Sequence, residues 1–580
     1  MKDINRSNKP LSKLTVIDFF CGAGGFSEGF RQQDYDIIMG VDSWSPAIET
    51  FNHNFGLECE TKNVLDFKDS IEEIEALPDT DVIIGSPPCV AFSNSNISGK
   101  ADKTSGVILT EVFLRIVAVK KYKKNSKLKA WYMENVKNSV NYLSDYYTFK
   151  DLGLGKWAKA NRISPYKKAI ILKGNQPLIN SADYGSSQKR KRVLSGEVIS
   201  KGKLIVPNRT HKDPKKEGNE QDYQTLRKIN SNLPKPNRKN KTKKEITDPL
   251  YPRIKIPMQD LSDHFYDTGL YSCIWKQSKF LKTNHPYMGR MSFPENDLNP
   301  SRTITATNIG TSREAIIYKS EYKRIGDGEY RTPTVREAAC IMGFPITYQF
   351  MGSEGTKMRL VGNAVCPSVS RAFAKQLRRD LGLKLIRNLR LKTKIELSRI
   401  KNLNSYKEKE FLTPPRRNKN SRFRRHPFKD GNLTVTLSNY DIVKNEKTIS
   451  KWMTSVQYGN GEGFPLHNIA EDTFKKIEPI ISELKNGKNF ITKVNNGFSE
   501  KIGTSQELQT MYEQQFSSNG LLEPTELVEE VSKLIESLQL DDIQFEQNGT
   551  VVFENKKIVP AKQLCALYAI SKICLLANKK

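Results

Sequence analysis

Long apolar runs and paired cysteines are both scarce in this chain of 580 residues. No stretch approaches the length needed to cross a bilayer, and the opening residues MKDINRSNKPLSK lack the apolar core of a signal peptide. The eight cysteines are scattered without a CxxC pair, and no histidines stand at metal-ligand spacing. These absences argue against a disulfide framework, a zinc site and a membrane partner. They predict a cytoplasmic protein with reduced thiols.

Acidic residues are also scarce relative to basic ones. The 93 Lys and Arg residues outnumber the 64 Asp and Glu residues, which gives a formal net charge of +29. Such a surplus favours a polyanionic partner, and nucleic acid is the most common one. The chain is too long for a single compact core, so several folding units are expected.

Strand and helix patterns alternate over the first 135 residues. The segments LTVIDFF, DIIMGVD, DVIIGS and KAWYMEN predict strands, and CGAGGFSEGFRQQ and WSPAIETFNHNF predict the helices that return between them. This alternation is typical of a doubly wound α/β fold with a parallel sheet, in which ligands bind beyond the carboxyl ends of the strands. The groups at those ends are Gly22, Gly24, Gly25, Asp42, Cys89 and Glu134.

The glycines after the first strand have two interpretations. They permit a tight turn whether or not a ligand is present. Asp42 favours a ligand, because an acid 20 residues after Gly22 is placed to accept hydrogen bonds from ribose hydroxyls. The pattern FxGxGG differs from the GxGxxG that cradles a pyrophosphate. It therefore favours a nucleoside without phosphates, such as S-adenosylmethionine.

Cys89 and Glu134 also have structural alternatives. A single cysteine is often a small buried hydrophobe, but the two prolines before Cys89 and the polar AFSNSN after it favour an exposed, held thiol. Glu134 is either a helix N-terminal acid or a functional carboxyl, and its place directly after an apolar strand favours the second reading.

Seven stretches occur in an order and spacing that resemble a known family. They are DFFCGAGGF, VDSW, GSPPCVAFS, MENV, SADYGSSQKRKRV, RTPTVREAACIMGFP and GNAVCPSVSRAF. Together, over roughly residues 13–380, they resemble the (cytosine-5)-DNA methyltransferases, which depend on S-adenosylmethionine and commonly belong to restriction-modification systems. The resemblance implies a Rossmann-like methyltransferase sheet with a separate target-recognition region.

The resemblance assigns catalytic roles to four residues. Cys89 matches the nucleophile that adds to C6 of cytosine, and Glu134 matches the acid that contacts N3 and the exocyclic amine. Arg192 matches the residue that holds the cytosine O2, and Arg190 matches an arginine that orients the catalytic loop. A Pro-Pro-Cys form also occurs in the branch that methylates transfer RNA, so an RNA cytosine-5 methyltransferase stays open as the alternative.

The resemblance also implies a set of cofactor-binding residues for S-adenosylmethionine. Asn63 stands where the family usually has an aspartate against adenine, and Asp66 is a possible substitute. The helix over residues 368–381 is expected to pack back beside the first strand. The implied cofactor residues are Phe20, Gly22, Gly24, Gly25, Asp42, Asn63, Val64, Pro88, Asn363 and Ala364; no metal site is expected.

The domain boundaries follow from the motifs and from shifts in charge. Residues 201–255 hold 16 Lys and Arg against 6 Asp and Glu, and residues 381–430 hold 16 against 4. Both are expected to contact the backbone of duplex DNA, with a solvated loop as the alternative for the first span and a simple tether as the alternative for the second. The family further implies a monomer and a cognate restriction endonuclease that acts on the same site. The predicted units are a catalytic domain over 1–195, a target-recognition region over 196–330, the return of the catalytic domain over 331–382, a basic linker over 383–430 with helical spacing at its start, and a domain of unknown role over 431–580.

The last predicted domain is α+β. NLTVTLSNYDIV predicts a strand, PTELVEEVSKLIESLQL and AKQLCALYAISKICLLA predict helices, and Asn548-Gly549 predicts a hairpin turn. The acids at 541 and 542 followed by Glu554 and Lys556 fit either the charged face of that hairpin or a metal site for phosphodiester cleavage.

Overall fold

The computed structural model describes most of the chain. The described residues are 13–88, 103–237, 245–283, 290–306, 310–321, 329–396, 425–430, 433–444, 447–458, 466–470, 473–497, 500–514, 517, 519–538, 544–546 and 558–579. The chain divides into two compact units, one within residues 1–409 and one dominated by residues 410–580. Among the described helices, none is both long enough and apolar enough to span a membrane.

The first unit is organised around a central sheet and contains a separate hairpin. Its first eight strands are β1 (Thr15–Phe19), β2 (Asp36–Val41), β3 (Val82–Gly85), β4 (Ala130–Asn135), β5 (Tyr146–Thr148), β6 (Lys168–Ile171), β7 (Leu178–Asn180) and β8 (Lys191–Val198). The sheet has the order β2-β1-β3-β4-β8-β7. Strands β2, β1, β3 and β4 pair in parallel, whereas β8 and β7 are antiparallel to their neighbours. Strands β5 and β6 form the separate antiparallel hairpin.

Helices cover both faces of this sheet. Alternate strand residues enter different cores: Val16 and Tyr132 pack on one side, and Ile17 and Trp131 on the other. Burial on both faces explains why the strands appear in sequence as continuous apolar runs. The helices of the unit are α1 (Gly25–Gln32), α2 (Ser45–Phe55), α3 (Ile71–Ala76), α4 (Lys103–Tyr122), α5 (Gly155–Ala160), α6 (Leu226–Asn232), α7 (Ser272–Thr283), α8 (Val335–Met342), α9 (Glu354–Asn363) and α10 (Pro367–Asp380). The predicted doubly wound, Rossmann-like α/β class is confirmed.

Helix α10 differs in detail from the expectation. It packs mainly against α1 and not beside the first strand. The contact is close because Gly29 has no side chain, and a Cβ there would overlap Ser370 and the backbone of Arg371. Phe373 on the same helix packs edge-on against Tyr132 of β4, with ring centroids 5.8 Å apart.

Between β8 and α8, the strands that the structure describes are all short. They pair as β9 with β10, β11 with β12 and β13 with β14. The last seven residues of the basic run KPNRKNKTKK and most of NHPYMGRMSF lie outside the described residues. The strand bounds are β9 (His211–Lys212), β10 (Gln221–Asp222), β11 (Glu245–Thr247), β12 (Lys255–Pro257), β13 (Tyr318–Lys319) and β14 (Tyr330–Arg331).

The helical spacing at the start of the predicted basic linker is wrong where the structure describes it. Residues 383–396 contain no helix. Leu389 and Leu391, two residues apart, both pack against the core of the first unit. The Arg390 N–H between them donates to the carbonyl of Gln32 at 3.1 Å. Contacts with another part of the fold thus replace the hydrogen bonds of a helix. Residues 397–424 lie outside the described part.

In the second unit, the described residues form an antiparallel sheet and five helices. Strands β15 to β18 pair in sequence order, and β15 begins six residues before the predicted boundary at 431. The last helix, predicted from its apolar sequence, is buried on nearly all sides. The Asn548-Gly549 turn, the acids at 541 and 542, Glu554 and Lys556 lie outside the described residues. The elements are β15 (Arg425–Asp430), β16 (Leu433–Lys444), β17 (Lys447–Tyr458), β18 (Leu466–Asn468), α11 (Thr473–Ser482), α12 (Gly487–Gly497), α13 (Ser505–Gln514), α14 (Pro524–Glu536), β19 (Gln544–Glu546), β20 (Ile558–Pro560) and α15 (Ala561–Lys579).

Candidate active site

A glycine-rich turn links β1 to α1 at the carboxyl edge of the sheet. Phe20, Gly22 and Gly24 have φ of +54°, +51° and +82°, in the left-handed region. Glycine adopts this region without the steric penalty that a Cβ brings. A Cβ on Gly22 would meet nothing within 4 Å, so this side of the turn is open. A Cβ on Gly24 would lie 2.6 Å from the Phe55 ring, so that position is closed by packing.

Asp42 fixes the turn from the end of β2. The Gly22 N–H donates to Asp42 Oδ2 at 2.9 Å, and the Trp44 N–H donates to Oδ1 at 2.9 Å. Burial raises the pKa of Asp42, while its backbone hydrogen bonds and the charge of Arg359 act in the opposite direction. The predicted pair of glycine turn and Asp42 is therefore brought together by direct contact.

Arg359 is a residue of this site that the motifs did not single out. It lies on α9, and its guanidinium stands 4.6 Å from the centre of the Trp44 ring. A guanidinium at this distance over an indole face makes a cation–π interaction. Trp44 and Asp42 thus have a common neighbour that comes from more than 300 positions later in the chain.

Segments near the C-terminal end of the first unit pack against the glycine-rich turn. A Cβ on Gly25 would overlap the carbonyl oxygen of Val365 and crowd Ala364, so only glycine fits where α1 begins. The hydroxyl of Tyr348 donates to the carbonyl of Ala23. Two separate late segments therefore hold the turn in place.

Asp18 is a second site residue that the motifs did not single out. It is fully buried in β1, and its Oδ2 accepts from the Ser27 hydroxyl of α1 at 2.7 Å. Its Oδ1 has no hydrogen-bond partner among the described residues. Burial raises the pKa of Asp18 to about 8. The available sequence signal is a carboxyl placed inside the apolar run LTVIDFF.

Glu134, which is buried, and Arg192, which is partly exposed, form an ion pair at the same edge of the sheet. They lie on the antiparallel neighbours β4 and β8, and Arg192 Nε is 3.1 Å from Glu134 Oε1. This oxygen is buried and makes no aligned hydrogen bond with the described residues. Burial raises the pKa of Glu134, and the charges of Arg192 and Arg190 oppose that rise. The pair presents an acid that retains capacity for a further hydrogen bond.

Arg190 and its neighbour tie β8 to the region predicted to recognise the target. Arg190 is buried, and its Nη1 donates to the carbonyl of Ile304 at 3.0 Å. The Ile304 N–H in turn donates to Oε1 of Gln188 at 3.1 Å. The segment QKRKR is therefore attached to residues 301–304, and the orienting role of Arg190 toward the catalytic loop stays a prediction.

The other predicted residues lie around these groups or outside the described part. Asn63 is exposed, and its side chain accepts from the Leu65 N–H at 3.0 Å while Val64 is buried beside it. Asn363 is exposed at the end of α9. Pro88 is exposed beyond β3, and Cys89, the predicted nucleophile, lies outside the described residues.

The fold and this site define the class of protein, and comparison with known proteins agrees. The model of the C-5 cytosine-specific DNA methylase family matches residues 14–379, so the chain belongs to this family and the sequence resemblance is confirmed. The Type II methyltransferase M.AplI of Arthrospira platensis is 27% identical over 380 residues, which cover 64% of this chain and 87% of that protein. The Type II methyltransferase M.DdeI of Desulfomicrobium norvegicum is 25% identical over 398 residues, which cover 63% of this chain and 88% of that protein.

A solved structure shows a more distant likeness. The Dnmt2 methyltransferase of S. pombe is 15% identical, with 64% of this chain and all of that chain covered and a TM-score of 0.39. The family model ends at residue 379, before residues 410–580, which make up most of the second compact unit. The family supports a coarse activity, methylation of cytosine at C5 in DNA.

Proposed function

We propose that the chain transfers a methyl group from S-adenosylmethionine to C5 of a cytosine in duplex DNA, through a covalent adduct with Cys89. The observation that carries the proposal is the ion pair of buried Glu134 with Arg192 at the carboxyl edge of the sheet. A neutral cytosine offers a ring nitrogen, an amine and a carbonyl oxygen along one side. An acid paired with an arginine is complementary to that side.

The residues around the glycine turn fit S-adenosylmethionine. The open side of Gly22 leaves room for a ligand against the backbone, and each oxygen of Asp42 keeps capacity beside its backbone hydrogen bond for a ribose hydroxyl. Trp44 offers an indole face, and Asn63 and Val64 are the candidates for the adenine end. Asn363, Ala364, Phe20 and Pro88 are assigned to the remaining wall. When bound, the cofactor supplies an electrophilic methyl group.

The protein side chains make C5 of cytosine nucleophilic in this proposal. The Cys89 thiolate adds to C6, and the electron pair of the C5–C6 double bond becomes available at C5. Glu134 supplies or shares a proton at N3 as negative charge develops, and Arg192 stabilises O2. After C5 has taken the methyl group, loss of the C5 proton to a base restores the double bond and expels the thiolate. No side chain is assigned as that base.

The DNA must be distorted for this chemistry. C5 and C6 lie inside the base stack, so the cytosine has to be flipped into the site. We assign sequence recognition to residues 196–330 and tie it to the catalytic strands through Arg190 and Ile304. Because the relatives named above are Type II methyltransferases, we infer that this chain is the modification enzyme of a restriction-modification system, with a cognate endonuclease for the same site.

The test is transfer of labelled methyl from S-adenosylmethionine to unmethylated genomic DNA, with transfer RNA in parallel and base-resolution mapping of 5-methylcytosine. We expect label in cytosines of one short DNA motif. Label in transfer RNA alone would assign the protein to the RNA branch. The Cys89→Ser variant should bind DNA and fold normally without transferring methyl, whereas full transfer by that variant would exclude the covalent route.

A further inference from the structure

The hairpin of β5 and β6 presents an unpartnered apolar pair to solvent. Tyr146 and Ile171 are directly opposite each other across the two strands and are 43% and 48% exposed. The neighbouring pair, Tyr147 and Ile170, is buried in the core. Since side chains alternate along a strand, one face of the hairpin anchors it and the other displays Tyr146 and Ile171.

Lysines stand over the exposed tyrosine rings of this hairpin. Lys168 Nζ lies 4.1 Å from the centre of the Tyr146 ring, and Lys150 Nζ lies 5.4 Å from that of Tyr166, which is 72% exposed. Within the described structure, neither lysine pairs with a carboxylate. We call Tyr146, Lys150, Tyr166, Lys168 and Ile171 the tyrosine–lysine patch.

The surrounding segment has the charge of a surface for an anionic partner. Residues 137–173, all of them described, contain eight Lys and Arg and two Asp. One of the two acids, Asp145, is paired with Lys173 at 2.9 Å, and the other, Asp151, accepts from the backbone and hydroxyl of Thr148. The field at the patch is therefore dominated by lysines that have no carboxylate neighbour.

The Tyr146 and Ile171 end of the patch is the end at which the hairpin joins the edge of the sheet that carries the catalytic candidates, whereas Phe149, next to Lys150, packs on Tyr122 at the end of α4. Ten residues separate the end of β4, just after Glu134, from the start of β5. The N–H groups of Leu172 and Lys173 both donate to the carbonyl of Asp145, which closes this end of the hairpin. The chain then enters β7, where Ile179 pairs with Arg192. Both ends of the segment are thus anchored beside the Glu134–Arg192 pair.

We propose that the tyrosine–lysine patch binds duplex DNA outside the methylated site, through its phosphates and sugars. The inference rests on the proposed function, because a duplex held with one cytosine at Glu134 continues past the protein surface on either side. Lysines contact phosphate oxygens without reading sequence. The tyrosine rings offer flat surfaces that pack on sugars or on unstacked bases. The patch therefore raises affinity for longer DNA and leaves the choice of target to other residues.

The test compares two double charge reversals in the full chain. Lys150→Glu with Lys168→Glu changes the patch. Lys375→Glu with Arg379→Glu changes two exposed basic residues on α10, which packs in the core on the other face of the sheet from the hairpin. Binding to a long fluorescent duplex is measured over a salt series. Each lost phosphate contact lowers the slope of log affinity against log salt by about 0.9.

We expect the patch reversal to lower that slope by about 2 and the affinity by about tenfold, while the control reversal changes neither. Tyr146→Ala should weaken binding about fivefold with an unchanged slope, because it removes stacking but no charge. An unchanged salt slope in the patch variant would overturn the proposal. A fall in the salt slope of the control variant as large as that of the patch variant would also overturn it. So would loss of self-association in the patch variant with DNA binding intact, which would make the patch an interface between copies.

Methyl transfer separates this outcome from the fate of the proposed function. A patch variant that still methylates saturating DNA at the wild-type rate, with the expected change in slope, supports both. If wild-type protein methylates DNA but the slope does not change, only the patch assignment fails. If wild-type protein transfers no methyl to DNA, the proposed function fails, and the salt series still decides whether the patch binds a duplex.

Discussion

Replacing Asp18 with asparagine should remove a specific pH dependence from the stability of the first unit. The folded chain holds the proton of Asp18 up to a pKa of about 8, whereas the ordinary value is 3.8. Between these values the folded state binds a proton that the unfolded state has released, so stability falls as pH rises. Asparagine resembles the protonated acid in shape and hydrogen bonding but does not titrate.

The size of the effect follows from the width of that interval. A single group contributes about 1.4 kcal/mol per pH unit, so wild type should lose roughly 3 kcal/mol more than Asp18→Asn between about pH 5 and 8. The stabilisation is complete below pH 3.8 and is lost as pH rises to about 8. Urea unfolding of both proteins at several pH values measures the difference. Asp36→Asn, an exposed carboxyl at the start of β2, is the control for a charge change. Identical pH dependence in wild type and Asp18→Asn would show that Asp18 is ionised in the folded protein, contrary to this reasoning.

Three further variants test the site. Gly25→Ala should abolish cofactor binding and lower the melting temperature, because the added Cβ would overlap Val365. Gly56→Ala is the matched control, since Gly56 has a φ of +68° but open space around it. This control should lower the free energy of unfolding by about 1 kcal/mol and leave cofactor binding intact. Arg359→Ala should raise KM for S-adenosylmethionine about fivefold at unchanged kcat, with Arg359→Lys intermediate; an unchanged KM would refute the role of the stack. Glu134→Gln should lower kcat by about 100-fold or more while cofactor binding persists, and wild-type turnover would exclude Glu134 as the acid.

The strands and the glycine turn of the first unit could be predicted because their signals are local. A buried parallel strand appears in sequence as a short apolar run, and a turn with positive φ favours glycine. Strands β1 to β4 and the turn at Gly22 can therefore be predicted from residues that are adjacent in sequence. The pairing of Asp42 with the turn was predictable for the same reason, since the carboxyl ends of adjacent parallel strands meet at one edge.

Other features depend on partners that are distant in sequence. The position of Arg359 over Trp44 is set by the packing of α9, and nothing near either residue in the chain indicates it. Residues 383–396 have a helical spacing of apolar residues, but they form no helix. Their backbone hydrogen-bonds to the first unit at Arg390, and Leu389 and Leu391 pack against its core. Tertiary contacts therefore outweighed local propensity there. The raised pKa of Asp18 could not be predicted, because the sequence of a strand does not show how deeply a carboxyl within it is buried.

Three carboxyls at one edge of the sheet differ in what surrounds them, and that difference orders their roles. Burial raises the pKa of Asp42, but the two backbone N–H groups that donate to it favour its charged form, which suits it to bind hydroxyls. Asp18 is fully buried, which raises its pKa to about 8 and favours its neutral form although the hydroxyl and backbone N–H of Ser27 donate to it. Glu134 lies between these cases, because burial favours its proton while Arg192 favours its charge. In the mechanism proposed above, a carboxyl held in that balance is suited to share a proton with the ring of the cytosine.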